Sequence, residues 1–211
     1  MSSQSDTMTL AEVAARMKFD TNHIQNFANW GEIETDDDNR ISETQLEAFE
    51  RAIAYHEAGH ALVARSFDWT VFKITIHGDG LSGPSCPMGP PKYFDPNFEG
   101  SGTSKMTFRI NVAKCFEMQA IIAAAGREAQ NIGTNRYPND RVLDGDVDTI
   151  MKYAHLHSEL NGINGLHVLK ARGDEARELL ETHGTNLETL VSRLLKDKTI
   201  RNEIECEFQG L

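Results

Sequence analysis

The chain has 211 residues, of which 39% are hydrophobic and 25% are charged, a balance typical of a folded globular protein. Its length allows one sizeable core, or a catalytic domain with a short appendage. The formal net charge is -11 and no basic run offsets it, so nucleic acid and anionic lipid are disfavoured as partners.

Two further features bear on where the protein works. The first residues, MSSQSDTMTL, lack the basic and apolar regions of a signal peptide, and no stretch reaches the roughly 18 to 20 apolar residues that cross a bilayer. Cys86, Cys115 and Cys206 show no CxxC spacing, so reduced thiols are the preferred interpretation. We expect a cytoplasmic protein without a membrane span.

The N-terminal segment, residues 1–41, is predicted to be helical and separate from residues 42–211. Residues 34–45, ETDDDNRISETQ, can be laid over a degenerate EF-hand loop with Glu34, Asp36 and Asp38 at calcium-binding positions. Glu34 replaces the usual first aspartate and Gln45 the usual final glutamate, so any Ca²⁺ binding should be weak. An acidic turn before a helix N-terminus is the preferred alternative.

The next elements predict a long helix and then a strand. Ser42 is a candidate N-cap with Gln45 three residues later, and apolar residues follow at helical spacing to about Phe67. The segment VFKITIH, residues 71–77, alternates as a half-buried strand does. Residues 78–104 are rich in glycine and proline, which indicates a long loop that could cover a site.

The remaining chain is predicted to be helical. A second long helix should run from about residue 105 to 132 with Gly133 as its stop, and a third from about residue 146 to 160. The C-terminal part indicates amphipathic helices broken near Gly184 and Lys198. The fold class expected is mainly α, formally α+β, with a small β-sheet.

The sequence His56-Glu57-Ala58-Gly59-His60 is the feature that points to chemistry. Histidines four residues apart lie one turn apart on the same helix face, where both can bind one zinc ion. Glu57 cannot point in the same direction, but it can act as general base on a water molecule. The alternative is a helix whose histidines are packed, solvated or bound to a metal without catalysis.

The sequence around this motif resembles the peptidase domain of the FtsH-type zinc metalloproteases. The resemblance covers roughly residues 50–205. It rests on AYHEAGHALVA, VFKITIHG, IIAAAGREAQNI, DGDVDTIMKYA and LLETHGTNLETLVSRLLKDKTI, which occur in the family's order. It implies a helical zincin-like metallopeptidase domain that binds one Zn²⁺ and hydrolyses peptide bonds.

The same resemblance implies a third zinc ligand in the DGDVD cluster. Asp146 fits the family's pattern best, because Val147 follows it and Ala154 lies eight residues later. Asp148 is the alternative. On residue chemistry alone, acidic residues at a helix start are more often caps than ligands.

The chain departs from that family in having no phosphate-binding loop of the GxxxxGK[ST] type. We therefore expect an ATP-independent zinc metallopeptidase for flexible or unfolded polypeptides, with an ATPase or adaptor, if any, supplied as a separate partner. The alternative is a non-catalytic zinc-binding interaction module derived from a peptidase fold. Retention of Glu57 favours the enzyme.

Overall fold

The computed structural model describes residues 7–79, 83–89, 105–139, 146, 148–153, 155 and 165–201, with no side chains described for 105–113 and 165–169. It is mainly helical with small antiparallel sheets, which confirms the expected fold class. The helices are α1 (Leu10–Met17), α2 (Thr21–Asn29), α3 (Glu43–Ser66), α4 (Lys105–Thr134), α5 (Gly165–Thr182) and α6 (Gly184–Asp197). The strands are β1 (Thr7–Thr9), β2 (Arg40–Ser42), β3 (Thr70–Val71), β4 (Lys73–Thr75), β5 (Met88–Gly89) and β6 (Thr199–Arg201).

The central element is α3, whose start is fixed by a capping box. The Ser42 side chain accepts the backbone N–H of Gln45, and the Gln45 side chain accepts the backbone N–H of Ser42. Most residues from Ile53 to Ala64 are buried against neighbouring helices, chiefly α4 and α6. The predicted long helix is confirmed.

Close approach of α4 to α3 depends on glycine. A Cβ atom added to Gly133 would lie 2.3 Å from the ring of Tyr55, a distance that no packed atom tolerates. The sequence suggested that the helix stops at Gly133, but α4 continues to Thr134. The left-handed residue after the helix is Asn135, with φ of 55°.

The predicted strand at 71–77 forms as β3 and β4, with an interruption at Phe72. Ile74 and Ile76 are fully buried as the alternation predicted, but the Phe72 side chain is 56% exposed. On one side β4 pairs with β6, and on the other Thr75 bridges to Ser85 while β3 pairs with β5. Residues 85–89 therefore form the outer edge of this small region of β-structure.

The N-terminal segment packs on the same core as the rest of the chain. Strand β1 pairs antiparallel with β2, and each is followed by a helix with a capping box. Met17, Ile24 and Ile41 are fully buried in one hydrophobic core that also contains residues of α3, α4 and α6. The division of the chain into two domains, residues 1–41 and 42–211, stays a prediction.

A buried charge cluster holds the first third of α3 against the β4–β6 region. Glu50 is 4% exposed, and its carboxylate accepts hydrogen bonds from His77 Nε2 at 2.9 Å and Lys198 Nζ at 2.5 Å. Burial alone would raise the pKa of Glu50, but these two partners outweigh it and lower the pKa to about 2. The cluster therefore depends on an ionised Glu50.

This pKa predicts how stability changes with pH. Because the pKa of Glu50 is lower in the folded chain than its ordinary value of 4.5, its contribution is present above about pH 4.5 and is lost as the pH falls toward 2. We expect Glu50→Gln to lose on the order of 2 to 3 kcal/mol near pH 7, and to show a flatter pH dependence below pH 5. Urea unfolding at several pH values measures this, with Glu47→Gln on the exposed face of α3 as control. Equal pH slopes for wild type and Glu50→Gln would contradict the assignment.

Candidate metal centre

One face of α3 carries the predicted motif. His56 and His60 lie one turn apart, and their rings meet edge to face with centroids 4.7 Å apart. Their Nε2 atoms are 3.1 Å apart. His60 is buried and His56 is half-buried, so two nitrogen donors converge at one sheltered point.

Asp146 supplies the third group. Its Oδ2 atom lies 2.9 Å from His56 Nε2 and 3.2 Å from His60 Nε2. Asp148, the alternative from the sequence, is exposed and is not part of this group. The described part of the predicted third helix, Asp146 with residues 148–153 and 155, is helical, and the remainder lies outside the described residues.

Helix α4 fixes the ring of His60. The Nδ1 atom of His60 is 2.7 Å from the carbonyl oxygen of Ile122. Since a carbonyl oxygen only accepts, Nδ1 carries the proton and donates it to Ile122. In the neutral ring Nε2 then has a free lone pair directed at the centre, which is the tautomer that a metal ligand requires.

Gly126 on α4 makes room for both histidines. An added Cβ would lie 2.5 Å from His60 Nε2 and 2.8 Å from a ring carbon of His56. Any larger residue would displace the two donors. The sequence analysis did not identify Gly126 or Ile122 as part of the site, although both lie in the segment IIAAAGREAQNI that carries the family resemblance.

Electrostatics favour a positive charge where the three groups meet. Burial lowers the pKa of His60, but the Asp146 carboxylate outweighs burial and raises it to about 9. Burial raises the pKa of Asp146, but the nearby His60 and His56 outweigh burial and lower it. Each group therefore stabilises the charged form of the other, and a bound cation would meet the same field.

The donor set fits a metal ion. Ligand atoms about 2.0 to 2.2 Å from a tetrahedral ion lie about 3.3 Å apart, close to the separations of 2.9, 3.1 and 3.2 Å found here. The set of two imidazole nitrogens and one carboxylate oxygen leaves a fourth position open. Within the described residues, the group that could hold a metal ion is His56, His60 and Asp146.

Glu57 lies beside this group but is not part of it. Its side chain is 6% exposed and lines the same cavity. Burial, followed in size by the charges of His56, His60 and Asp146, shifts the pKa of Glu57, and the net result is a pKa above its ordinary value. A carboxylate in this position faces the space beside the three ligand atoms.

A cavity of about 560 Å³ extends along α3 from Phe49 to His60 and includes the metal group. Its walls come from α2, α3, α4, the 83–88 loop and the Asp146 segment, and they include His23, Phe27, Glu32, Phe49, Ile53, Trp69, Cys86, Met88, Gln119 and Tyr153. The volume is within the range of ligand-binding clefts. A long loop that could cover a site is predicted for residues 78–104, and residues 83–86 and 88 of that segment line this cavity.

The chain before Asp146 is tied to the N-terminal segment. Asn139 N donates to Glu32 Oε1 at 2.6 Å, and Asn139 Nδ2 donates to the Trp30 carbonyl at 3.2 Å. The Arg136 guanidinium donates to the Gly31 carbonyl at 2.5 Å. These bonds connect residues 30–32 to 136–139, so the N-terminal segment helps to fix the described chain that follows α4.

The predicted calcium loop does not form a comparable centre. Asn39 has φ of 55°, which matches the glycine position of an EF-hand loop. However, Asp36 Oδ1 accepts the backbone N–H groups of Asp38 and Arg40. Among the described residues, Glu34, Asp36 and Asp38 do not converge as a cation-binding group. Weak Ca²⁺ binding stays a prediction.

Two other residues of types that bind metals are described near this part of the chain but do not join the group. His155 is exposed and is not one of the three ligands. Cys86 lines the cavity but does not belong to the group of three ligands. Burial, followed by the charges of Glu57 and Asp146, raises the pKa of Cys86 well above its ordinary value, so its thiol stays protonated.

No protein-family model matches the chain, and no curated protein sequence matches it at a significant level. Among the described residues, no helix is both long and apolar enough to cross a bilayer.

The metal centre predicts a specific pattern of metal content. We expect about one equivalent of divalent metal per wild-type chain after dialysis, and loss of affinity by more than about 100-fold in His60→Ala and Asp146→Ala, because each removes a ligand. Asp148→Ala, two residues away and exposed, is the matched control and should retain the metal. Elemental analysis measures each protein. Full metal content in Asp146→Ala would rule out this ligand set.

Proposed function

We propose that the protein is a zinc-dependent metallopeptidase that hydrolyses peptide bonds of flexible or unfolded polypeptides. The observation that carries the proposal is the position of Glu57, a carboxylate that lines the same cavity as the three-ligand group of His56, His60 and Asp146. Zinc is the metal of choice because two histidines and one carboxylate are its usual ligands in hydrolytic sites.

His56, His60 and Asp146 would hold the ion. When bound, zinc supplies Lewis acidity that lowers the pKa of water and polarises the substrate carbonyl. Glu57 takes a proton from the attacking water molecule as the water oxygen adds to the carbonyl carbon. Glu57 then delivers that proton to the amide nitrogen as the C–N bond breaks, which leaves a carboxylic acid and an amine.

The surroundings of Glu57 suit this role. It lies one residue after a ligand on α3, so it cannot share the direction of His56 but faces the same cavity. Its burial excludes most water from the reacting groups, which strengthens their electrostatic interactions. The Ile122 carbonyl keeps His60 in one orientation during turnover.

The competing proposal is a non-catalytic zinc-binding interaction module. Such a module needs the three ligands but has no use for a general base next to them. The presence of the Glu57 carboxylate in the same cavity therefore favours the enzyme. A zinc-loaded wild type that cleaves nothing would favour the module.

The decisive substitution is Glu57→Gln. We expect this protein to bind zinc as wild type does, because no ligand changes, but to cleave unfolded casein at least about 100-fold more slowly, since the proton acceptor is lost. Glu47→Gln, an exposed change of the same kind on α3, should leave the rate unchanged. If Glu57→Gln cleaved at the wild-type rate, the mechanism would be wrong.

The size of the cavity leads to a second prediction, about which substrates can enter it. The cavity can take an extended segment but not a folded domain, so casein should be cleaved and a stably folded substrate should not. Added ATP should leave both rates unchanged, since the sequence carries no phosphate-binding loop of the GxxxxGK[ST] type. Gel-based cleavage assays with and without ATP measure this, and stimulation of the pure chain by ATP would contradict it.

A further inference from the structure

The cavity does not end at the metal group. It continues along α3 toward the helix start, where Ala52, Ile53 and Phe49 line it. These residues share one face of α3 with His56 and His60, because their spacing of three, four and seven residues follows the helical repeat. One continuous trough therefore joins an apolar region to the metal-binding residues.

The N-terminal segment closes this apolar region. Phe27 of α2 lines the cavity, and its ring lies 5.1 Å from the ring of Phe49, centroid to centroid. The ring of Phe27 also lies 6.3 Å from that of Phe19 and 6.2 Å from that of Trp30, centroid to centroid. The wall is therefore part of a larger aromatic cluster, of which only Phe27 and Phe49 line the cavity together.

The polar groups near this wall decide which side chains it accepts. Glu32 lines the cavity, and one of its carboxylate oxygens accepts the backbone N–H of Asn139. Asp146 and Glu57 lie further along the same trough. An acidic side chain would meet acidic residues there, whereas a large apolar side chain would meet Phe27, Phe49 and Ile53.

From these contacts we propose that Phe27 is a specificity-determining residue, and that its wall binds a large apolar side chain, aromatic above all, of an extended polypeptide lying across the metal group. The inference rests on the proposed peptidase function and names its substrate class. Phe49 and His56 are seven residues apart, or about 10 Å along a helix. An extended peptide covers that distance in about three residues, so the selected side chain lies about three residues from the cleaved bond.

The test uses capped octapeptides that differ at one position only, each carrying Phe, Leu, Ala or Glu there, with cleavage sites mapped by mass spectrometry. We expect zinc-loaded wild type to prefer Phe over Ala by about tenfold or more in kcat/KM at one position about three residues from the cleaved bond. Phe27→Leu should reduce this preference several-fold while preferences at other positions stay unchanged. A residue that serves only the fold would instead lower cleavage of all peptides equally.

Phe19→Leu is the matched control, because Phe19 contacts Phe27 but does not line the cavity. It should leave the preference profile as in wild type even where it lowers thermal stability. A second variant, Ala52→Leu, fills the trough from α3 and leaves the sequence of the N-terminal segment unchanged, and it should reject Phe in favour of Ala. An unchanged profile in both Phe27→Leu and Ala52→Leu would overturn the proposal.

Binding separates this inference from the proposed function. Fluorescence anisotropy of a fluorescein-labelled octapeptide with Phe or Ala at the selected position, titrated with zinc-loaded Glu57→Gln, needs no cleavage. We expect the Phe peptide to bind more tightly than the Ala peptide, and its binding to weaken about tenfold in the Phe27→Leu/Glu57→Gln double variant. This result would support the proposed role of Phe27 even if wild type proved inactive. If wild type cleaved peptides but both labelled peptides bound equally tightly, the proposed peptidase function would hold and the proposed role of Phe27 would be wrong.

Discussion

The metal centre depends on how closely α4 can approach α3. An added Cβ at Gly59 would lie 2.5 Å from the Cβ of Ala129, and one at Gly126 would meet both histidine rings. Because these positions lack side chains, the helices pack near enough for the Ile122 carbonyl to reach His60. A site that needs ligand atoms about 3 Å apart leaves little tolerance for helix separation. The packing of small residues is thus a condition for the chemistry.

Much of this arrangement could be predicted from local pattern. Ser42 and Gln45 marked the start of α3, and the four-residue spacing of His56 and His60 placed two imidazoles on one face. These features are encoded within one or two helical turns, where sequence spacing translates directly into position. The family resemblance added Asp146, which local pattern could not distinguish from Asp148.

Other features could not be predicted from the sequence, because they depend on contacts with residues far along the chain. Gly133 looks like a helix stop until Tyr55 is known to pack on it. Phe72 fits the alternation of a buried strand, yet it is exposed because the strand is interrupted there. The partners of the predicted strand, β5 and β6, lie in segments with weak strand signals. Phe27 joins the cavity wall only through contacts between α2 and α3.

The ligand residues of the metal group lie far apart in the sequence, and this affects when the group forms during folding. His56 and Asp146 are 90 residues apart, and the ties from residues 30–32 to 136–139 span more than 100 residues. Closing such long loops is entropically costly, so these contacts should form late in folding. During synthesis the chain emerges from its N-terminus, and the two histidines appear long before the aspartate does. A nascent chain therefore lacks the complete group of three ligand residues until its own fold is nearly finished.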